Sequence, residues 1–115
     1  MTQRILVVDD DRAMVRTLCD IFRMRGWESR GAYSGEEAIA LQRENGYAII
    51  LMDITMPGMG GVAAAESIRR EDGGVRMILM TAHTSSDVIT EAQQEPAWQV
   101  MPKPIDIAAL LTLLR

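Results

Sequence analysis

Short, continuous runs of apolar residues alternate along this chain with longer stretches of helical periodicity. The strongest runs cover residues 5–8, 48–52 and 77–80, and a weaker one covers 98–101. Runs that are apolar on both faces are typical of central strands in a parallel sheet with helices on either side. A further strand is predicted at 27–32, where polar residues indicate a position at the edge of the sheet.

The stretches between these runs have the spacing of amphipathic helices. Apolar residues recur at three- and four-residue intervals over 12–24, and Gly26 follows as a C-terminal stop. Further helices are predicted at 34–43, at 62–70, from 85 or 86 to about 94, and over the leucines at 110–114. The predicted N-terminal caps are Asp11, Ser34 and Asp106. A strand–helix unit repeated five times predicts right-handed crossovers and an open parallel sheet.

Size and composition exclude several classes of protein. A chain of 115 residues suits one domain, and its net charge of −4 argues against a nucleic-acid-binding face. No apolar run approaches the ~18 residues of a membrane span, and no signal peptide is evident. The single cysteine, Cys19, cannot form an internal disulfide, so we expect an inert buried thiol and a cytoplasmic protein. Because the chain stops in an apolar stretch, we expect a domain cut from a longer protein, with an output domain after Arg115.

Polar residues follow four of the predicted strands at the point where each strand ends. Asp9 and Asp10 follow the first strand, Asp53 the third, Thr81 the fourth and Lys103 the fifth. Each alone has a commonplace interpretation as a helix cap, a turn residue or a surface charge. The carboxyl ends of parallel strands, however, meet at one edge of the sheet, where open α/β sheets bind ligands. The joint placement therefore favours a common site.

The chemistry of these side chains is complementary. Clustered carboxylates repel each other and raise their own pKa values, and a hard divalent cation such as Mg²⁺ relieves that repulsion. An aspartate beside such a cation can attack phosphorus and form an aspartyl phosphate. The transferring phosphoryl group then needs a lysine ammonium, a hydroxyl and N–H donors around its oxygens. The set therefore indicates phosphoryl transfer to an aspartate.

With these motifs, the chain resembles the receiver domains of two-component response regulators. The resemblance covers residues 1–115 and rests on four motifs in order: Ile-Leu-Val-Val-Asp-Asp at 5–10, Leu-Met-Asp-Ile-Thr-Met-Pro-Gly-Met-Gly-Gly at 51–61, Met-Thr-Ala at 80–82 and Lys-Pro at 103–104. It implies an α/β, flavodoxin-like (βα)5 fold, with a doubly wound parallel sheet of five strands in the order 2-1-3-4-5.

The resemblance also implies a role for each matching residue. Asp53 corresponds to the phosphoacceptor, and Lys103, whose bond to Pro104 is expected to be cis, corresponds to the phosphate-binding lysine. The implied Mg²⁺ ligands are Asp9, Asp10, Asp53 and the backbone carbonyl of Thr55. The implied contacts of the phosphoryl group are the Thr81 hydroxyl, the Ala82 backbone N–H and Lys103.

The partner implied by the resemblance is a sensor histidine kinase or a phosphotransfer protein, whose phosphohistidine supplies the phosphoryl group. The expected response is a change in the surface formed by the predicted helix at 85–94, the fifth strand and the last helix. That surface is also a candidate homodimer interface. The domain is expected to catalyse only its own phosphorylation and dephosphorylation, and so not to be an enzyme that turns over a separate substrate. Direct binding to nucleic acid or membrane is not expected.

The chain departs from the family pattern in three places. Val100 stands where Tyr or Phe is usual, Gly60 replaces a frequent acidic residue, and Pro96-Ala97 replaces the usual Gly-Ala. The first change bears on the signalling step rather than on phosphorylation. The lone histidine, His83, lies two residues after Thr81. It is either a solvated loop residue or, with Thr55, a flank of the phosphoryl group that tunes the attack of water.

Two other functions remain as alternatives at this point. One is a constitutive binding scaffold, which the change at Val100 keeps open and the intact Asp53, Thr81 and Lys103 oppose. The other is a flavin- or nucleotide-binding module of the same fold. The acidic residues that follow the first strand, where such a module needs a glycine-rich phosphate loop, argue against it.

Overall fold

The computed structural model describes residues 3–82 and 98–114. The strands are β1 (Arg4–Val8), β2 (Glu28–Ala32), β3 (Ile49–Asp53), β4 (Arg76–Thr81) and β5 (Gln99–Pro102). The helices are α1 (Arg12–Met24), α2 (Gly35–Asn45), α3 (Gly61–Glu71) and α4 (Ile107–Leu113). The helix predicted to end near residue 94 and the two interpretations of His83 fall outside the described residues.

All five strands pair in parallel, in the order β2-β1-β3-β4-β5. This confirms the predicted doubly wound sheet, and β2 lies at the edge as its polar residues indicated. The chain moves outward from β1 to β2 and then crosses back to β3 on the other side of β1. The reversal opens a crevice at the carboxyl ends of β1 and β3, where folds of this kind bind ligands.

Alternate residues of the central strands pack against two different layers of helices. Leu6 and Ile50 lie in a cluster completed by residues of α2 and α3. Val7 and Leu51 lie in a second cluster, completed by residues of α1 and α4. Because these strands are buried on both faces, they need apolar residues at every position, which explains the continuous runs in the sequence.

Local signals place the helix ends. The side chains of Asp11, Ser34 and Asp106 each accept a backbone N–H in the first turn of α1, α2 and α4, which confirms the three predicted caps. Gly26 follows α1 with a φ of 83°, a conformation that glycine adopts without strain. β5 begins one residue later than predicted, at Gln99, and Trp98 is buried just before it as a packing residue.

Cys19 is buried in α1, and burial raises the pKa of its thiol above the ordinary value. The reactive thiolate is therefore disfavoured, as expected for an inert core cysteine. Within residues 3–82 and 98–114, no helix combines the length and the apolar character needed to cross a bilayer.

Candidate functional site

The carboxyl ends of four neighbouring strands meet at one edge of the sheet. The register pairs Val8 with Met52, so Asp9 follows β1 directly beside the end of β3. Asp53 pairs with Met80, and Thr81 pairs with the residue just before Lys103. Residues separated by up to 94 positions in the chain are thereby placed along one line by the pairing of the backbone.

Three carboxylates form a cluster at this edge. One oxygen from each of Asp9, Asp10 and Asp53 lies within 4.8 Å of the others. Asp9 and Asp53 are 0% and 5% exposed, whereas Asp10 is exposed to solvent. The cluster therefore has a buried floor and an open side, through which a ligand can reach the two buried groups.

Lys103, the only lysine in the chain, joins the two buried carboxylates. Its Nζ lies 2.5 Å from Asp9 Oδ2 and 3.2 Å from Asp53 Oδ2. The bond between Lys103 and Pro104 is cis, as expected. The lysine is thus the one cation that compensates the acidic cluster within the described part of the chain.

Burial and neighbouring charges together set the pKa values of Asp53 and Lys103. Burial, and then the charge of Asp9, raise the pKa of Asp53, while Lys103 and the Thr55 N–H oppose the rise. Burial also lowers the pKa of Lys103, but its contacts with Asp9 and Asp53 outweigh this and raise the pKa above the ordinary value. The lysine therefore stays protonated, and one ammonium does not fully offset the crowding of the carboxylates.

Backbone groups orient the two buried carboxylates. The N–H of Asp11 donates to Asp9 Oδ1 at 2.9 Å, and the N–H of Thr55 donates to Asp53 Oδ1 at 3.2 Å. In each case the donor lies two residues after the aspartate, in the turn that leaves the strand. The remaining oxygens, both Oδ2, are the ones that face Lys103.

The donor set fits a hard divalent cation. Asp9 Oδ2 is fully buried and Lys103 Nζ lies 2.5 Å from it, but the same ammonium also contacts Asp53. One ammonium leaves the three crowded carboxylates with excess negative charge, which a divalent cation relieves. Three carboxylates with one open side give the oxygen ligands and solvent access that such an ion requires.

Thr81 is the last residue of β4 beside this cluster, and Ala82 follows it. Thr81 is 2% exposed, and its backbone carbonyl accepts a hydrogen bond from the N–H of Lys103 at 2.8 Å. Ala82 lies in a bend and is exposed. Thr55 is also exposed, in the loop after β3. All of the predicted site residues therefore lie at the same sheet edge.

The part played by Gly61, the first residue of α3, was not predicted from the sequence. A Cβ added there would lie 2.0 Å from the backbone oxygen of Asp53, well inside van der Waals contact. The Gly61 N–H also donates to the carbonyl of Ile54 at 2.8 Å. The glycine thus lets α3 begin directly against the backbone of Asp53. The paired glycines at 60–61 were the only signal, and sequence alone does not show which one is needed.

The contact made by Glu36, at the start of α2, was also not predicted from the sequence. Its Oε1 accepts a hydrogen bond from the N–H of Met59 at 3.3 Å. Between Asp53 and Met59 the loop turns at Gly58, whose φ is 79°. A contact between residues 23 positions apart leaves no periodic trace in the sequence.

Comparison with known proteins agrees with this geometry. The family described as "Response regulator receiver domain" matches residues 5–115. The chain belongs to this family. Receiver domains are the signalling domains of two-component response regulators, and their general role is to be phosphorylated by a sensor kinase. Membership of this family therefore favours a signalling domain that is phosphorylated over a flavin- or nucleotide-binding module.

Individual relatives of this receiver domain are similar over almost its whole length. A response regulator receiver protein of Anaeromyxobacter sp. is 38% identical over 111 residues, covering 96% of this chain and 47% of the relative. Sporulation initiation phosphotransferase F of Bacillus subtilis is 30% identical over 107 residues, covering 93% of this chain and 86% of the relative. The crystal structure of a CheY-like receiver domain protein from Methanospirillum hungatei is 26% identical, with a TM-score of 0.91 and coverage of 99% and 91% of the two chains.

The lengths of these relatives differ widely. This receiver domain spans about half of the first relative, and only 23% of the regulatory protein AtoC of Escherichia coli, to which it is 35% identical. Receiver domains therefore occur both nearly alone and as a minor part of longer regulators.

Proposed function

We propose that this receiver domain accepts a phosphoryl group on Asp53 from the phosphohistidine of a sensor kinase or phosphotransfer protein, with Mg²⁺, and changes its interaction surface in response. One observation carries the assignment of the residue. Asp9 and Asp53 both contact Lys103 within the carboxylate cluster, but Asp53 is the one of the two that keeps some solvent exposure, 5% against 0%, and it stands where the family motif has its phosphoacceptor. The Asp53 carboxylate, which would act as the nucleophile, therefore lies next to both a lysine ammonium and the carboxylates that would bind a metal ion.

The residues divide the chemistry among them. An oxygen of Asp53 forms the new bond to phosphorus while the bond from phosphorus to the histidine nitrogen breaks, and the imidazole leaves with the electron pair. Lys103 stabilises the negative charge on the phosphoryl oxygens, since it already lies 3.2 Å from Asp53. The Thr81 hydroxyl and the Ala82 N–H are proposed to donate to the same oxygens. The Thr55 N–H keeps the Asp53 carboxylate oriented.

Mg²⁺ is the proposed metal because the available ligands are hard oxygens on a partly open site. Asp9, Asp10, Asp53 and the carbonyl of Thr55 would hold it. When bound, it supplies positive charge that offsets the crowded carboxylates and the phosphoryl oxygens. The direct test of the function is labelling with acetyl phosphate, which should require Mg²⁺ and stop when EDTA is added.

Replacing Asp10 by alanine should weaken Mg²⁺ binding at least about tenfold, because Mg²⁺ holds its waters tightly and needs several charged oxygens to replace them. Asp10 is the exposed member of the cluster, so its loss should not disturb the fold. Isothermal titration calorimetry measures the affinity. The control is Asp20→Ala, which removes an exposed carboxylate of α1 outside the cluster. Equal affinities of the two variants and the wild type for Mg²⁺ would exclude the proposed metal site.

A groove beside the site suits the docking of the phosphodonor protein. A cavity of about 510 Å³ runs between α1 and the segment after β5, and its apolar lining includes Met14, Leu18, Ile105 and Ile107. Lys103 and Ala82 also line this cavity. A protein that delivers phosphorus to Asp53 must approach past these residues, so an apolar helix face of the donor is the proposed occupant.

Met14→Glu should separate docking from chemistry. A charge in the apolar groove is expected to slow transfer from a phosphorylated donor protein at least tenfold, since desolvating an unpaired carboxylate is costly. Labelling by acetyl phosphate, which needs no docking surface, should be unchanged. Thr17→Glu in the same groove serves as a milder variant, and Thr112→Glu on α4 as a charge-matched control outside it. Equal slowing of both phosphodonors would place the defect in the site instead.

The signalling step is expected to differ from that of relatives with an aromatic residue at position 100. Val100 is partly buried and packs against the core cluster that contains Trp98, so the two residues lie on the same face of the sheet. Its register partner is Leu79, two residues before Thr81. A β-branched side chain has few rotamers and no ring that can move in response to Thr81. Loss of such a two-state element reduces the energy available to shift the surface.

We therefore expect phosphorylation to proceed with only a small change at β5 and α4. Amide hydrogen exchange with and without beryllofluoride and Mg²⁺ measures this. The largest protection should occur at the end of β4, with much less over β5 and α4. The Val100→Tyr variant provides the comparison, because it restores the usual ring. A change across β5 and α4 as large as that near Thr81 would show that the domain switches without an aromatic residue here.

Three wider proposals accompany this function. The domain catalyses its own phosphorylation and dephosphorylation and turns over no separate substrate. Two copies of the domain form a homodimer through the surface that includes β5 and α4. Finally, the domain covers residues 1–115 of a cytoplasmic protein that continues into an output domain, a proposal supported by relatives of two to four times this length.

A further inference from the structure

A second cavity lies on the other side of α1, at the free edge of the sheet. Its volume is about 530 Å³, and it lies between α1 and the end of β2. Three arginines line it, Arg12, Arg16 and Arg23, together with Tyr33. Positions 12, 16 and 23 lie on one side of the helix, because position 16 is about one turn after position 12 and position 23 is about two turns after position 16. The cavity thus has a wall of guanidinium groups along its length.

The charge of this wall is poorly compensated. Arg23 lies 3.6 Å from Asp20 and donates to the carbonyl of Ser29. Over the described ranges, no carboxylate lies within ion-pair distance of Arg12 or Arg16. Arg12 instead lies over the ring of Tyr33, with 4.0 Å from its Cζ to the ring centroid. Like charges four residues apart on a helix are destabilising, so this pair of arginines costs free energy unless an anion lies between them.

The floor of the cavity is formed mainly by small or apolar residues. Val15 and Cys19 of α1 are buried there, and Gly31 of β2 faces them. A Cβ at position 31 would lie 2.5 Å from Val15 Cγ1 and 3.3 Å from the Tyr33 hydroxyl, so a side chain there would intrude on this floor. The cavity therefore combines a small apolar base with a cationic wall. Its volume falls in the range typical of small-molecule sites.

We propose that this cavity binds a small oligophosphate, either free pyrophosphate or the diphosphate of a nucleotide. Guanidinium groups match phosphate oxygens in paired hydrogen bonds, and two of them one helical turn apart, on Arg12 and Arg16, can each bind one phosphate of a linked pair. The carboxylate cluster at Asp53 repels the same ligand when no metal is bound. The site lies beyond the phosphoacceptor function and uses none of its residues.

Calorimetric titration of the full chain with ADP in EDTA at low ionic strength tests this. Saturable binding of one equivalent is expected, and it should weaken as salt is added. Arg16→Gln should reduce the affinity about tenfold, the effect of losing one charged hydrogen bond. Arg25→Gln, which removes the same charge from the end of α1 outside the cavity, should bind like the wild type. Acetyl phosphate labelling of Arg16→Gln should be unchanged, since Arg16 takes no part in that chemistry.

Titrations with ADP, pyrophosphate and adenosine distinguish free pyrophosphate from the diphosphate of a nucleotide as the ligand. Pyrophosphate that binds as tightly as ADP identifies the diphosphate as sufficient, whereas tighter binding of ADP shows that the nucleoside adds contacts; both results support the site. Adenosine alone should not bind. The proposal is wrong if neither ADP nor pyrophosphate binds saturably, or if Arg16→Gln and Arg25→Gln lose affinity equally, because the attraction would then be general charge.

Discussion

Replacing Asp53 by asparagine is expected to reduce phosphorylation by acetyl phosphate to background. Asparagine keeps the shape of the side chain and an oxygen for the Thr55 N–H. It removes the carboxylate that forms the bond to phosphorus, and it also removes a charge from the cluster around the metal. The measurement is Mg²⁺-dependent incorporation of labelled phosphoryl groups, with their position mapped by mass spectrometry.

The matched control is Asp11→Asn, in the same acidic stretch. Asp11 caps α1, and asparagine caps helices as well as aspartate does, so the fold should be retained. This variant should therefore be labelled at close to the wild-type rate. If Asp53→Asn were labelled as fast as Asp11→Asn, a different residue would be the phosphoacceptor, although the geometry of the acidic cluster would stand.

Replacing Gly61 by alanine is expected to lower the free energy of unfolding by about 3 kcal/mol or more, toward the upper end for overpacking. The added Cβ would lie 2.0 Å from the backbone oxygen of Asp53 and 2.8 Å from its carbonyl carbon. These are main-chain atoms of a buried strand, so no side-chain rotation relieves the overlap. Either α3 or the end of β3 must move, and urea denaturation measures the cost.

Gly60 provides a control one residue away. A Cβ at Gly60 would lie 3.5 Å from the carbonyl oxygen of Ile54, an ordinary contact, and its φ of −69° suits any residue. Gly60→Ala should therefore change the stability by no more than about 0.5 kcal/mol. Comparable losses in both variants would mean that the loop tolerates no side chain at all, and that the close approach of α3 to Asp53 is not the cause.

The same contact links stability to function. Because Gly61 packs against the backbone of Asp53, any shift that relieves the alanine variant displaces the phosphoacceptor from Lys103. Folded Gly61→Ala molecules should then be labelled more slowly than wild type, whereas Gly60→Ala should not. A lower labelling rate in Gly61→Ala alone would show that the contact positions Asp53 for phosphorylation, in addition to stabilising the fold.

The fold could be predicted to a large extent from the sequence because its signals are local. Doubly buried strands require continuous apolar runs, and the caps at Asp11, Ser34 and Asp106 act on N–H groups three residues away. The candidate site residues could also be named, because each lies at the end of a strand or shortly after it and matches a family motif. Their convergence follows from parallel pairing, which aligns the carboxyl ends of all strands.

Only the tertiary structure decided how those residues meet. The contacts of Lys103 with Asp9 and Asp53 join positions 94 and 50 residues apart, and the pKa directions of the cluster depend on burial that no local pattern encodes. The need for Gly61 rather than Gly60, the bond from Met59 to Glu36, and the arginine-lined cavity beside β2 are likewise products of packing. Sequence periodicity reports which face of an element is buried, but not which atoms of another element it meets.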